Sequence, residues 1–215
     1  MNKKITLIAL VALIVGLLFY LSPWQFGQPP TSSMKVAVIL PLTGDAAKYG
    51  EDALNGMHLA QEQLKAEGLD VPELIIGDSK GEPGTAVTVY QQTKAVHEIR
   101  ACITLLSGVS KAVAPVAARD GVFHFATVAA APNIFGLEDP AFRWYYSGDL
   151  VATKLAQLIL DRGGISQVVV IAENIDYSIS AASLLTQLLS QAGVGVYSEL
   201  YDAKNLSARD LVTKT

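Results

Sequence analysis

Leu106-Ser107-Gly108-Val109-Ser110 carries the clearest chemistry in this chain. An apolar run ends there in small polar residues and a helical pattern follows. The free backbone N–H groups at such a helix start, with the helix dipole, make a seat for a carboxylate. Ser110 reads as the N-cap, its hydroxyl accepting from an N–H of the first turn. Plain capping is the alternative reading of the same five residues. A phosphate loop fits poorly, because no Lys follows at the Walker spacing.

Thr127-Val128-Ala129-Ala130-Ala131-Pro132 is a second run of small residues after an apolar segment. Small side chains there let a ligand reach backbone C=O and N–H groups, or the run is simply a packed connection. Tyr49 and Tyr177 each follow a strand-like segment, where an aromatic walls a pocket and offers one hydroxyl; each also reads as an ordinary surface tyrosine. His58 and His97 read as helix-surface residues and His124 as a strand residue, with no spacing that suits a metal. Glu51, Asp52, Asp78 and Asp176 lie near strand ends without a catalytic companion. No nucleophile, base and orienter come together, so an enzyme is not expected, and no cofactor is implied. Cys102, the single cysteine, lies in the apolar run Ala101 to Leu106 and reads as a buried strand residue.

The elements that must position these residues alternate. Strands are expected at Val36 to Leu40, Leu74 to Gly77, Ala101 to Leu106 and Val122 to Val128. Helices are expected at Ala46 to Glu67, Thr85 to Glu98 (with Pro83 near its start) and Ser110 to Asp120. This βα alternation with short connections predicts a parallel sheet covered on both faces. Ala129 to Ser147 reads as irregular, with Phe135, Phe142, Trp144, Tyr145 and Tyr146 scattered along it. A second run follows: helix Asp149 to Arg162 stopped by Gly163-Gly164, strand Val168 to Ala172, helix Ser178 to Gln191, strand Val194 to Leu200, and a helix beginning near Ser207. In open parallel sheets ligands bind outside the carboxyl ends of the strands, where most of the residues singled out above fall.

Ile5 to Leu21 is a run of about 17 nearly uninterrupted apolar residues, roughly 25 Å of helix, close to the hydrocarbon thickness of a bilayer. It reads as an uncleaved membrane anchor or as a secretory signal, and Lys3 and Lys4 favour an N-in, C-out orientation in either case. Gln25 to Ser33 reads as a spacer. The net charge is −4, and −6 without Lys3 and Lys4, with no basic stripe, so no nucleic-acid partner is expected.

Several strings together resemble one family: PLTGDAAKYGEDALNG, the Asp78 turn with Glu82-Pro83, LLSGVSKAVAPVAARDGV, ATVAAAP, FRWYYSGD and IAENIDYS. From Lys35 onward the chain resembles type I periplasmic binding proteins of the leucine/isoleucine/valine class, which feed ABC importers of branched-chain amino acids and amides. The resemblance implies two Rossmann-like lobes closing on a ligand. Ser107 and Gly108 would seat its carboxylate, Val128 and Ala130 would add backbone contacts, Tyr49 would line the first lobe and Tyr177 would reach across from the second. Phe142 and Arg143 would lie near the first crossing between lobes. Three positions depart from the family pattern: Ala130 lacks the usual hydroxyl, Tyr177-Ser178 replaces Tyr-Gly, and Gly81 and Leu106 stand where some members pair half-cystines. The resemblance also implies further segments beyond Thr215, including the acidic residue that holds a ligand's amino group.

The expected protein is therefore an extracytoplasmic solute-binding component of an ABC importer for amino acids, amides or related small carboxylates. Its partners would be that ligand, an importer permease and, through the N-terminal segment, the inner membrane. A membrane-tethered ligand-sensing ectodomain is the alternative. The expected organisation is 1–24 anchor or signal, 25–34 linker, 35–141 first ligand-binding lobe and 142–215 an incomplete second α/β lobe.

Overall fold

The structure, a computed structural model, describes residues 34–202. The expected anchor at 1–24, most of the linker and the helix near Ser207 lie outside the described residues. Among the described residues no helix is long and apolar enough to cross a membrane.

The chain runs β1 (Lys35–Leu40), α1 (Ala47–Ala66), β2 (Glu73–Asp78), α2 (Pro83–Val96), β3 (Ile99–Leu105), α3 (Ser107–Arg119), β4 (Phe123–Thr127) and β5 (Ala141–Trp144). These five strands form one parallel sheet in the order β2-β1-β3-β4-β5. β1 is central and Val36 to Leu40 are all buried, as a continuous β-branched run requires of a strand covered on both faces. Its side chains alternate. Ala37 and Ile39 pack with Tyr90, Cys102, Val109 and Val113, while Val36, Val38 and Leu40 pack with Leu105, Leu54, Met57 and Leu74. Cys102 is buried as expected, and burial pushes its thiol up to about 12.

Three local expectations are corrected. Ser110 is not an N-cap: α3 begins at Ser107, Leu106 occupies the cap position, and Ser110 N donates to Leu106 O within the first turn. The irregular reading of Ala129 to Ser147 missed β5, a four-residue edge strand whose Arg143 pairs with Ala126 of β4. His97 is not on a helix surface but in extended backbone just after α2.

The chain continues into α4 (Gly148–Arg162), β6 (Gln167–Glu173), α5 (Asp176–Gln191) and β7 (Gly195–Tyr201). β6 and β7 pair in parallel as a separate two-stranded sheet. Ser147 caps α4 by accepting from Asp149 N, and Gly163 ends it at φ 64. The inner strand residues Val168, Val170 and Val196 pack with Ala152, Ala156, Leu185 and Leu189 of the two helices. Val169, Ile171 and Tyr197 on the opposite face are exposed.

Candidate functional site

Strand order reverses between β1 and β3, so the two connections leaving those strands diverge and open a crevice at their carboxyl ends. The loop after β1 is fixed from the neighbouring strand end. Asp78 accepts from Leu42 N (2.9 Å), Thr43 N (3.3 Å), Thr43 Oγ1 (2.6 Å) and Lys80 N (2.8 Å). Burial opposes ionisation of Asp78, but the Thr43 hydroxyl and the three backbone N–H groups outweigh it and hold the carboxyl below its ordinary value. Beyond that loop, Gly50 is buried, and any Cβ there would overlap the carbonyl of Pro41. This close approach sets the first turn of α1 on the loop and leaves Tyr49 exposed beside it.

At the end of β3 the chain enters α3 without an intervening loop, which forces Leu106 to φ 80. Val128, one residue past β4, has φ 47, and Lys80, two past β2, has φ 55. Side chains bearing a Cβ rarely adopt such angles, least of all a β-branched valine, and each costs about 1–3 kcal/mol. Strain thus collects at the carboxyl ends of β2, β3 and β4. Ser107, itself buried, accepts from Ala131 N through its Oγ at 3.0 Å. Ala130 O accepts from Gly148 N at 2.7 Å, and Ala131 O accepts from Arg143 Nη1 at 2.8 Å. The turn after β4 is therefore tied to α3, to α4 and to β5.

Residues leading into the second sheet close on the same place. A Cβ at Gly108 would lie 3.0 Å from Asp176 Oδ2, so α5 reaches the first turn of α3. Lys111, one helical turn on, pairs with Asp176 Oδ1 at 3.5 Å. The ring of Tyr177 lies 3.3 Å from where a Cβ of Gly148 would stand. Ser107, Gly108, Ala130 and Tyr177 are thus brought together. Tyr49 stands exposed in the first turn of α1. Val128 stands exposed at the end of β4, two residues from Ala130. Phe142 stacks on Phe125 at 5.7 Å, so its ring braces the sheet edge.

Sequence reasoning missed Lys111 at this site. It left the run of aromatics at 142–146 unplaced, because without β5 nothing fixed where it lay. Sequence reasoning also missed the layer beneath α3. Thr104 Oγ1 lies 2.7 Å from Ser110 Oγ and 2.7 Å from His124 Nε2, all three buried. His124 Nδ1 has no hydrogen-bond partner and the ring meets Phe135 edge-on at 5.0 Å. Burial lowers its pKa to about 4, against a small opposing pull from Asp139, so the imidazole is neutral near pH 7.

The sequence model of the periplasmic binding protein family matches residues 33–214. The Leu/Ile/Val-binding protein BraC3 of Rhizobium johnstonii is 31% identical over 108 residues, 48% of this chain and 29% of that protein. The Leu/Ile/Val-binding protein homolog 3 of Brucella melitensis biotype 1 is 26% identical over 175 residues, 79% of this chain and 47% of that protein. Among solved structures, the leucine binding protein LivK of Thermotoga maritima superposes with TM-score 0.73 at 22% identity, covering 84% of this chain and 52% of that one. This chain therefore spans about half the length, or less, of each of these relatives. With five parallel strands, the reversed strand order and a family match over all its described residues, the chain belongs to the periplasmic binding protein family and has the type I fold.

Proposed function

We propose that this chain is the solute-binding component of an ABC importer, acting outside the cytoplasm and holding a small carboxylate-bearing solute between its two sheet-and-helix lobes. One observation carries the reading. The start of α3, the turn after β4 and the first turn of α5 converge, with Ser107, Ala130 and Tyr177 linked through hydrogen bonds and ring contact. The first turn of α3 would hold the carboxylate with its free N–H groups, with Ser107 and Gly108 nearest. Val128 and Ala130 would present backbone groups, and Tyr49 and Tyr177 would wall the cleft from either side. No covalent step is involved. The ligand favours the closed arrangement by contacts that exist only there, and the permease reads that arrangement.

The names of the curated relatives point to branched-chain amino acids, and amides and short carboxylates share the same acyl end. Isothermal titration of the full chain against amino acids, amides and short carboxylates tests the reading directly. Saturable heat with one class supports it, and no heat with any class contradicts it. N-terminal sequencing of the exported protein separates a tethered from a released form, since retention of residues 1–33 supports the anchor.

A further inference from the structure

Arg143, the penultimate residue of β5, pairs with Ala126 of β4. Partners in register share a face of the sheet, so its side chain leaves on the side where Ala126 packs with Ala114, Ala129 and Ala131. There Nη1 donates to the carbonyl of Ala131 at 2.8 Å. Ala131 is buried, and a buried carbonyl needs a partner, which the guanidinium supplies. Arg143 is itself half-buried, and among the described residues it forms no ion pair. Withdrawing a cation from water without a carboxylate is costly, and a side chain that only filled space there would be apolar. The charge is directed instead at one backbone carbonyl, in a charge-assisted bond stronger than a neutral one.

Further along the chain, Gly148 N donates to Ala130 O at 2.7 Å. The crossing from β5 to α4 is thus tied at both ends to consecutive carbonyls of a single turn. That turn lies between Val128 at φ 47 and Asn133 at φ 54, both in the left-handed region. Strained backbone of this kind persists only where its surroundings fix it. The far end of the crossing is closely packed: a Cβ on Gly148 would lie 3.2 Å from Ala130 O and 3.3 Å from the ring of Tyr177.

From this bracketing we infer that Arg143 is a positioning residue for solute binding: through Ala131 O it fixes the turn after β4 and the pivot on which α4 and α5 move toward the first sheet. The inference rests on the solute-binding reading above and names the residue that sets closure there. Arg143 acts through Ala131 rather than on the solute. Its planar fork keeps one N–H aimed at Ala131 O, and so holds Ala130 O, one peptide away, in place for Gly148 N. With the guanidinium gone, the turn relaxes and the Ala130–Gly148 bond opens more often. The closed arrangement then loses population, and affinity falls with it.

Arg143→Met keeps the stem of the side chain and removes its donors, while Arg143→Lys keeps both a stem and a donor. Each is compared with the unmodified full chain by amide exchange without solute, and by titration with leucine, leucinamide and benzoate. In Arg143→Met the Gly148 amide is expected to exchange at least about tenfold faster while the amides of β3 stay protected. Whichever probe binds the unmodified chain should bind Arg143→Met about tenfold more weakly, and Arg143→Lys within about threefold of the unmodified chain. That rescue by lysine separates the donor from the packing of its stem. If β3 loses protection in Arg143→Met, the shorter neutral Arg143→Gln takes its place with the same expectations. Unchanged Gly148 exchange, unchanged affinity in the folded neutral variant, or lysine no better than methionine overturns the inference; binding by the unmodified chain then leaves the solute-binding reading standing. Silence of the unmodified chain with all three probes and with the wider amino-acid, amide and carboxylate panel overturns both.

Discussion

Ser107 Oγ accepts the backbone N–H of Ala131 at 3.0 Å, joining the ends of two neighbouring strands across 24 residues of sequence. The hydroxyl that begins α3 thereby also sets the course of the turn after β4. Ser107→Ala leaves that buried N–H without its partner, at a cost of about 1–3 kcal/mol. The expected outcome is a lower urea midpoint together with roughly tenfold weaker ligand binding, because the turn loses its position. Unchanged affinity in a folded Ser107→Ala chain contradicts the placement.

Lys111 and Asp176 behave differently, since both are exposed. Such a pair contributes about 0.2–1 kcal/mol at most, so Lys111→Ala should hardly move the unfolding midpoint. It bridges helices that cover different sheets, so its loss should favour separation of those helices and raise the dissociation constant about two- to fivefold. Titration with and without 1 M salt checks this: added salt should weaken the unmodified chain more than the variant.

His124 makes stability depend on pH. Its folded-state pKa, about 4, lies below the ordinary 6.5, so between these values the unfolded chain binds the extra proton. The stabilisation is fully present above pH 6.5 and is lost as pH falls toward 4, on the order of 3 kcal/mol in all. Urea unfolding at pH 7.5 and pH 5.0 should show the lower midpoint at pH 5.0. His124→Gln should flatten that difference. A midpoint that rises on acidification contradicts the buried, neutral imidazole.

Asp78 works in the same direction at lower pH. Its folded pKa lies below the ordinary 3.8, so its stabilisation is present above that value and lost as pH falls through the folded one. Asp78→Ala frees Leu42 N, Thr43 N and the Thr43 hydroxyl together, and the β1–α1 loop should exchange its amide protons faster while β1 stays protected. Equal protection of Leu42 and Thr43 in the variant contradicts the anchoring role.

Cys102 supplies a probe of global unfolding. Buried among Ala37, Tyr90 and Val113, with its thiol pushed up to about 12, it should react with a thiol reagent only as fast as the chain opens. Rapid labelling at neutral pH without denaturant contradicts that burial.

The first sheet was legible because its signals are local. β1 reads as a continuous apolar run, Gly68 and Gly163 stop their helices, and Pro83 marks the start of α2 at the first helical position. What escaped is non-local. β5 is four residues long and exists by pairing with β4, and Ala-Phe-Arg-Trp carries too little alternation to announce it. Ser110 resembles a cap in sequence, but Leu106 takes the positive φ that lets α3 start three residues earlier, and no property of leucine signals that. Ser110 is instead committed beneath the helix to Thr104, which also meets His124, a contact set by the register of β3 on β4. The candidate site divides the same way. Ser107 and Tyr177 were visible from type and position, whereas Lys111 matters only because α5 happens to meet α3.

Amide resonances of the full chain, followed as leucine and then benzoate are added, test the central claim most directly. The account predicts that whichever solute binds shifts Ser107, Gly108 and Tyr177 together, with saturation at one shared concentration. Shifts confined to residues away from the start of α3 and the first turn of α5, under saturating solute, would contradict it.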